Sequence, residues 1–269
     1  MSIEKFSLVI LTKNEEENIQ RSLNSISSAE EKIVFDSGST DQTLQKAEAA
    51  GASVFQKTWL GFGKQRNAAA EKVKTDWILF LDADEEISPA LNQEIIEFFQ
   101  TKKSHDFDAI ILKRNGVFMG KKMHYRPFAG EKLVRLYRKS TLHWEESPVH
   151  ETIQTTGKRV GIFRATFLHH QHPTLVHRHY KILKYSELST MKEKSFSMLS
   201  IALTPLAYFF IFFKNYILRL AILDGIRGVI IAHVAANYAC YKRIRFYEKK
   251  VDKDSIEKGI AQHQLKNNW

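Results

Sequence analysis

Short apolar runs alternate with segments of helical spacing over the first 112 residues of the chain. The runs at residues 7–11, 32–35 and 77–81 are almost continuously apolar, which is typical of strands buried on both faces of a sheet. A shorter run at residues 53–55 predicts one more strand. Repeated strand–helix units of this length predict an α/β fold with a mostly parallel, doubly wound, Rossmann-like sheet.

The segments between these strands carry helix signals. Asn14 is predicted to cap the helix that follows the first strand, because its side chain can accept hydrogen bonds from the backbone N–H groups of a first turn. A helix over residues 64–73 follows a glycine-containing loop, and Pro89 is expected in the first turn of the next helix. In sheets of this kind ligands bind at the carboxyl ends of the strands, which is where the polar clusters of this chain fall.

The pattern changes twice after residue 112. Residues 113–173 are mixed and mostly β, and we expect them to extend the sheet and to form the far wall of a cleft. Residues 174–269 are predicted to be helical. We therefore divide the chain into an α/β half (1–112), a mixed β half of the same domain, and a C-terminal helical appendage.

Residues 195–213 contain no formal charge and are bracketed by Lys192, Lys194 and Lys214. The run is long enough to be considered as a transmembrane helix, but Pro205 and several serines interrupt it. We expect helices that lie in the membrane interface, held by apolar burial and by attraction to anionic lipid. A membrane span and simple core packing of the appendage are the alternatives.

The net charge of +10 is distributed unevenly. Residues 1–100 contain 10 Lys and Arg against 17 Asp and Glu, whereas residues 101–269 contain 30 against 13. A strongly basic half is suited to anionic lipid, an anionic glycan or nucleic acid. The single cysteine, Cys240, excludes a disulfide framework and a cysteine-based zinc site. The N-terminus shows neither a basic segment nor a small-residue cleavage site, so we expect no signal peptide and a cytoplasmic location.

Two acidic residues, Asp82 and Asp84, follow the apolar run at residues 77–81. Carboxylates at positions i and i+2 at the mouth of a parallel sheet can both face one ligand. A hard divalent cation needs only one or two carboxylates together with substrate phosphates. The alternative is an ordinary acidic loop that caps the next helix. An EF-hand is disfavoured because the sixth position of such a loop is Ile87 instead of glycine.

A second polar cluster, DSGSTD at residues 36–41, also follows a predicted strand. Asp36 could accept hydrogen bonds from a base or a ribose, and the glycine lets the backbone approach a ligand closely. A turn followed by a helix cap is the alternative. Lys64, Arg66 and Asn67 follow a Gly-Phe-Gly loop and could contact a phosphate or a base.

The combination of these motifs resembles the nucleotide-binding half of glycosyltransferase family 2. The resemblance rests on TKNE at residues 12–15, on DSGSTD, on the Gly-Phe-Gly loop with the helix after it, and on FLDADE, and it covers about residues 6–100. SPVHE at residues 147–151 and KNYILRLAILDGIRG at residues 214–228 look like the lipopolysaccharide-core β-glucosyltransferase branch of the WaaE type.

This resemblance implies a GT-A fold that binds a nucleotide-sugar, with Mg²⁺ or Mn²⁺ as cofactor. Asp36 would hold the uracil or its ribose environment, with Thr12 and Glu15 lining the same pocket. Asp82 would face the ribose or the diphosphate, and Asp84 would be the metal ligand. The full set of residues expected around the nucleotide-sugar is Thr12, Asn14, Glu15, Asp36, Ser37, Lys64, Arg66, Asn67, Asp82 and Ala83.

The implied reaction is an inverting displacement. A carboxylate deprotonates an acceptor hydroxyl, which attacks the anomeric carbon while the metal stabilises the leaving diphosphate. We expect Glu151 to be this base, with Glu146 and Glu145 in reserve. The sequence departs here from the common family pattern, in which the Asp of a Glu-Asp pair is the base.

A cluster of five histidines falls within 11 residues: His169, His170, His172, His177 and His179. No carboxylate or cysteine accompanies them, and the sites of family 2 do not use such a cluster. We therefore expect surface or acceptor-side histidines instead of a zinc site, although one of them could touch the diphosphate.

The resemblance implies a UDP-sugar donor, with UDP-glucose as the expected one, and a lipopolysaccharide-core or other lipid-linked glycan as acceptor. We expect peripheral attachment to the inner face of the cytoplasmic membrane through the C-terminal helices, and no nucleic acid partner. Another UDP-sugar or acceptor is the nearest alternative. A nucleotidyltransferase is disfavoured because no Gly-rich basic loop follows the first strand, and a non-enzymatic basic binder leaves the strand-end acids unexplained.

Overall fold

The computed structural model describes residues 3–145, 152–172, 175–176, 182–183 and 197–251. The chain divides into two compact units. The first, here the N-terminal unit, comprises Met1–Val117 with Phe128–Gln171. The second, here the C-terminal unit, comprises Phe118–Pro127 with His172–Trp269.

The N-terminal unit is built around one mixed sheet. The strands among the described residues are β1 (Phe6–Thr12), β2 (Glu31–Asp36), β3 (Ser53–Gln56), β4 (Trp77–Asp82), β5 (Glu85–Ile87), β6 (Ala109–Phe118), β7 (Lys121–Lys122), β8 (Ala129–Arg138) and β9 (Val160–His172). The order in the sheet is β3-β2-β1-β4-β8-β6-β9-β5. The first four strands in this order are parallel, whereas β8 is antiparallel to both of its neighbours and β5 is antiparallel to β9.

Helices flank the parallel strands. Those of the N-terminal unit are α1 (Ile19–Asn24), α2 (Thr43–Ala49), α3 (Phe62–Ala70) and α4 (Pro89–Gln100). Pro89 occupies the first turn of α4, as predicted, and the side chain of the capping Ser88 accepts a hydrogen bond from the Leu91 amide. Proline fits this position because its missing N–H would have no partner inside the helix.

The two faces of the sheet carry separate cores, as the continuous apolar runs predicted. In β1, Leu8 and Ile10 belong to one buried cluster, whereas Val9 and Leu11 belong to the other. Because successive side chains of a strand point to opposite faces, a strand covered on both sides must be apolar at every position.

Asn14 does not cap a helix, which corrects the sequence prediction. Helix α1 begins at Ile19. Asn14 instead has a φ of 54°, and its side-chain oxygen accepts a hydrogen bond from the Thr40 amide at 2.8 Å. Asparagine tolerates this left-handed conformation better than most residues, and here it ties the loop after β1 to the loop after β2.

Three parallel strands end side by side. Thr12 of β1 lies opposite Asp36 of β2, and Leu11 of β1 lies opposite Asp82 of β4. The side chains that follow these strands therefore meet at one edge of the sheet, where ligands bind in open α/β folds.

The described part of the C-terminal unit is mainly helical. It contains α5 (Met198–Ala202), α6 (Thr204–Phe213) and α7 (Ile226–Val251). Among the described residues no helix combines the length and the apolar character that crossing a bilayer requires. Lys192 and Lys194, which were expected to flank an interfacial helix, lie outside the described residues.

Candidate active site

A pocket of about 410 Å³ lies at the edge where β1, β2 and β4 end. Its lining residues are Leu11, Thr12, Lys13, Glu15, Ser37, Trp59, Phe62, Asp82 and Ala83. The rings of Trp59 and Phe62 pack edge to face with centroids 4.6 Å apart, and both remain about half exposed. An exposed aromatic pair beside polar strand ends is suited to a planar ligand with a polar tail.

Asp36 does not line this pocket but fixes the turn that contributes Ser37 to it. It is fully buried and is not among the lining residues, and its Oδ2 accepts hydrogen bonds from the amides of Gly38 and Ser39 at 2.8 and 2.9 Å. Burial alone would raise the pKa of Asp36, but the hydrogen bonds from Ser39 and Gly38 lower it. The carboxylate therefore fixes the DSGS turn, in which Gly38 has a φ of +95°, and Ser37 faces the pocket.

Thr12 and Glu15 both line this pocket, whereas Asp36, which the resemblance placed in the same pocket, does not. Thr12 is 6% exposed, and its hydroxyl has no hydrogen-bond partner among the residues that the structure describes. Since a buried hydroxyl without a partner is costly, this one is available to a ligand. Glu15 accepts a hydrogen bond from Asn18 Nδ2 at 2.6 Å.

Asp82 lies between two arginines. Its Oδ1 accepts a hydrogen bond from Arg66 Nη2 at 3.0 Å, and its Oδ2 accepts one from Arg135 Nη2 at 2.9 Å. Burial alone would raise the pKa of Asp82, but Arg135 and Arg66 hold it well below its usual range. Both oxygens of this ionised carboxylate are thus already engaged.

A further buried carboxylate, Glu85 on β5, completes this network. Its Oε1 accepts hydrogen bonds from Arg135 at 2.7 Å and from Arg114 at 3.0 Å, and its Oε2 accepts one from the Asp82 amide at 3.0 Å. Burial raises the pKa of Glu85, against the opposing effect of Arg135. Neither Glu85 nor Arg135 is a predicted site residue. The sequence signal that could have pointed to Arg135 is its position between the apolar residues Val134 and Leu136 in a predicted strand.

Asp84 has a histidine as its neighbour. Asp84 Oδ2 lies 3.2 Å from His169 Nε2, and the two side chains are 22% and 11% exposed. The arrangement follows from the pairing of β5 with β9, which places His169 opposite Glu85, while the His170 amide donates to the Asp84 carbonyl at 2.8 Å. A carboxylate oxygen and an imidazole nitrogen at this separation are a suitable pair of ligands for a small divalent cation.

This pair fits a metal that takes its remaining ligands from a substrate. No group of three or more histidine, cysteine, aspartate or glutamate side chains that could hold a metal occurs in the described part of the chain. Mg²⁺ and Mn²⁺ are commonly bound by one or two protein side chains together with phosphate oxygens and water. The donor set of Asp84 and His169 therefore fits the expected cofactor, and it assigns His169 a place that the sequence did not predict.

A second pocket of about 710 Å³ shares Phe62 and Asp82 with the first. It is lined by Phe62, Arg66, Asp82, Asp84, Arg114, Lys132, Leu133, Val134, Arg135, Trp144, Thr152, Ile153 and His169. Four of these residues are cationic, and the guanidinium of Arg66 lies 4.4 Å from the centre of the Trp144 ring. This pocket is suited to an anionic group next to the Asp84–His169 pair.

Asn67 and Lys64 do not line either pocket. The Asn67 side chain donates to the Trp144 carbonyl and accepts from the Trp144 amide, both at 2.9 Å, so that it holds the wall of the larger pocket. Lys64 is exposed on α3.

The predicted bases Glu151 and Glu146 lie outside the described residues. Glu145, the reserve candidate, is described and partly exposed. Its carboxylate accepts hydrogen bonds from Gln154 Nε2 and from Thr152 Oγ1, the latter at 2.8 Å. Both hydrogen bonds lower the pKa of Glu145, and the one from Gln154 has the larger effect.

Comparison with known proteins identifies the class to which this fold and site belong. The model of the family described as "Glycosyl transferase family 2" matches residues 7–167. The chain therefore belongs to glycosyltransferase family 2, and its fold is of the GT-A type, as the resemblance implied.

Proteins with similar sequences are also named as glycosyltransferases. The lipopolysaccharide core biosynthesis glycosyltransferase LpsC of Rhizobium meliloti is 27% identical over 257 residues, which are 90% of this chain and 92% of LpsC. An uncharacterized glycosyltransferase of Rickettsia bellii is 40% identical over 141 residues, which are 50% of this chain and 46% of that protein. The chain thus spans about half the length of the rickettsial relatives that it matches.

A solved structure with local similarity is glucosyl-3-phosphoglycerate synthase from Mycobacterium tuberculosis, in complex with Mn²⁺, UDP and glucosyl-3-phosphoglycerate. It is 26% identical, with a TM-score of 0.35, over 42% of this chain and 44% of that structure.

Proposed function

We propose that this family 2 glycosyltransferase moves a sugar, glucose from UDP-glucose, onto a lipopolysaccharide-core or other lipid-linked glycan with inversion at the anomeric carbon. The observation that carries the proposal is that Asp82, held between Arg66 and Arg135, lines both pockets, and that the Asp84–His169 pair lines the larger pocket beside it. A carboxylate and an imidazole can hold a divalent cation, and the cation in turn binds the phosphate oxygens of a nucleoside diphosphate.

The smaller pocket is the proposed nucleoside site. Trp59 and Phe62 offer ring surfaces to a base, while the buried hydroxyl of Thr12 and the side chain of Ser37, which lines the pocket, offer polar contacts. Asp36 acts indirectly here, because its carboxylate is engaged by the turn that presents Ser37. A base that reaches Asp36 would have to share those hydrogen bonds.

Asp84 and His169 are the proposed ligands of Mg²⁺ or Mn²⁺. When bound, the ion neutralises the charge that develops on the leaving diphosphate. Arg66 and Arg135 keep Asp82 ionised and fixed in orientation, and the cationic side chains of Arg114 and Lys132 face the larger pocket in which a phosphate group or an anionic acceptor would lie.

Transfer also needs a base for the acceptor hydroxyl. Glu151 is the proposed base, with Glu146 and Glu145 as the nearest replacements in sequence. A carboxylate in this role takes the proton as the hydroxyl oxygen attacks the anomeric carbon and the bond to the diphosphate breaks.

The acceptor is proposed from the similarity to LpsC over 90% of this chain and from the basic character of residues 101–269. A cationic protein region favours phosphorylated or otherwise anionic acceptors. We place the reaction at the inner face of the cytoplasmic membrane, where a lipid-linked acceptor and a soluble nucleotide-sugar meet. A different UDP-sugar or acceptor within the same family is the alternative.

Calorimetric titration of the protein with UDP, with and without Mn²⁺ or Mg²⁺, tests the proposal. Metal-dependent binding of UDP supports it and justifies a screen of UDP-sugars against membrane acceptors. Absence of UDP binding under both conditions would contradict the choice of donor, and failure of the other nucleoside diphosphates as well would contradict the proposed chemistry.

A further inference from the structure

The C-terminal unit presents a row of apolar side chains to solvent on α6. Leu206, Phe209, Phe210 and Phe213 follow the spacing i, i+3, i+4 and i+7, which places them on one helix face. They are between 58% and 70% exposed, and no residue of α6 is buried even though the helix packs against α7. Soluble proteins rarely leave a contiguous apolar face of this kind uncovered.

Apolar exposure continues between α6 and α7. Ile217 and Leu218 follow α6, and Ile222, Leu223 and Ile226 precede or begin α7, with exposed fractions of 45% to 69%. This segment lies within the motif KNYILRLAILDGIRG, which the glycosyl-transfer chemistry leaves without a role.

Phe118–Pro127, here called the hairpin tip, also belongs to the C-terminal unit. It is hydrogen-bonded to the segment between α6 and α7. The carboxylate of Asp224 accepts hydrogen bonds from the amides of His124 and Tyr125, both at 2.8 Å. The amide of Arg126 donates to the carbonyl of Arg219 at 2.9 Å. The tip, which carries exposed lysines and no acidic residue, is therefore fixed beside the exposed apolar segment.

The described charges of this unit are mostly positive. Its described residues include eleven lysines and arginines but only two acidic residues, Asp224 and Glu248. The Asp224 side chain is only 3% exposed and is engaged by the hairpin tip. Apolar side chains combined with surrounding cations are the features that hold a protein on an anionic bilayer.

We propose that the C-terminal unit docks on an anionic phospholipid surface through the apolar face of α6 and the lysines of the hairpin tip. The inference deepens the proposed function, because it names the surface at which a lipid-linked acceptor would be reached. A second copy of the chain is a poorer occupant, since two faces of the same positive charge repel each other.

Sedimentation of the full-length protein with vesicles tests this surface. One set of vesicles contains phosphatidylcholine alone, and the other contains phosphatidylcholine with phosphatidylglycerol. Phe209→Ser/Phe210→Ser removes apolar side chains, and its control is Ile162→Ser, which changes a 48% exposed residue of the N-terminal unit. Lys121→Glu/Lys122→Glu reverses two charges of the hairpin tip. Its control is Lys102→Glu/Lys103→Glu, which reverses two neighbouring exposed charges of the N-terminal unit.

The wild-type protein and both controls should sediment with the phosphatidylglycerol vesicles. The phenylalanine variant should lose this binding, and the Lys121/Lys122 variant should weaken it by about tenfold or more. Absence of sedimentation with either kind of vesicle, or equal binding by variants and controls, would overturn the proposal. So would a phenylalanine variant that turns a dimer into a monomer in sedimentation velocity while vesicle binding is unchanged.

UDP titration of the same samples separates this proposal from the proposed function. Retained UDP binding together with failed vesicle binding refutes the docking surface alone. Vesicle binding by a protein that binds no nucleotide refutes the glycosyl-transfer proposal alone.

Discussion

Arg135 donates from a single guanidinium nitrogen to both Asp82 and Glu85, at 2.9 and 2.7 Å. One arginine thereby joins an acidic residue of the strand-end pocket to a fully buried acid on the next strand. Because the Glu85 carboxylate also accepts the Asp82 amide, the position of Asp82 is fixed through both its side chain and its backbone. The geometry of the pocket thus depends on Glu85, which lines neither pocket.

Glu85→Gln should lower kcat/KM by about tenfold to hundredfold, because it removes a charged hydrogen-bond acceptor of Arg135 and Arg114. Steady-state kinetics with varied donor, together with UDP titration, measure the effect. Glu131→Gln is the matched control, since Glu131 also contacts Arg114 but is half exposed. Equal losses in the two variants would contradict a specific role for Glu85.

Asp84→Asn should abolish transfer and weaken the metal-dependent part of UDP binding while leaving the fold intact. An amide oxygen is a weaker ligand for a hard cation than a carboxylate is. Titration of UDP with and without Mn²⁺ measures the difference, and Asp106→Asn, a change on an exposed turn, is the control. Normal turnover of Asp84→Asn would show that Asp84 is not the metal ligand.

Removal of divalent metal by a chelator should reproduce the loss of turnover in the wild-type protein, and added Mn²⁺ or Mg²⁺ should restore it. His169→Ala should raise the metal concentration needed for half-maximal activity, because only one protein ligand remains. An unchanged metal requirement in this variant would remove His169 from the proposed ligand set.

Glu151→Gln should leave donor binding unchanged and reduce turnover by about 10²–10⁴-fold, the usual contribution of a general base. UDP titration and rate measurements on the same preparation separate the two effects. A fully active Glu151→Gln would move the base to Glu146, and the same pair of measurements on Glu146→Gln would then decide.

Arg138→Met should destabilise the N-terminal unit by about 2–4 kcal/mol, because it leaves half-buried acids without their partner. Arg138 pairs with Glu4 at 2.7 Å and with Asp76 at 3.0 Å, and its guanidinium lies 4.8 Å from the centre of the Trp77 ring. Denaturant unfolding measures the change. Lys5→Met, which breaks an exposed pair with Glu30, should have little effect.

The ion pair between Glu4 and Arg138 also predicts how the stability of the protein changes at acidic pH. Burial alone would raise the pKa of Glu4, but Arg138 and Ser104 lower it below the ordinary value of 4.5. A lowered pKa in the folded state contributes stability that is complete above this ordinary value and is lost as the pH falls towards the folded-state pKa. Unfolding measured at several pH values should show a smaller acid-side loss in Arg138→Met than in the wild-type protein.

The parallel half of the fold could be predicted from the sequence because its signals are local. Each strand of that half is a short apolar run, and the polar residues that follow it are brought together by the parallel arrangement itself. Thr12, Glu15 and Asp82 therefore line one pocket, and their roles there stay predictions.

The remainder depends on pairings between distant segments. Asp84 and His169 meet because β5 pairs with β9 in one particular register, and a shift of one residue would turn His169 to the other face. No local pattern fixes that register. Asn14 was mistaken for a cap because the hydrogen-bond partner that it takes instead, the Thr40 amide, lies on another loop.

The pairing of β5 with β9 also bears on the order in which the protein is made. Asp84 and His169 are 85 positions apart in the chain. On the ribosome the parallel strands emerge first, so the nucleoside pocket can form before β9 has been synthesised. A nascent or truncated chain that ends before β9 would hold Asp84 without its histidine partner, and the proposed metal pair is therefore among the last parts of the N-terminal unit to be assembled.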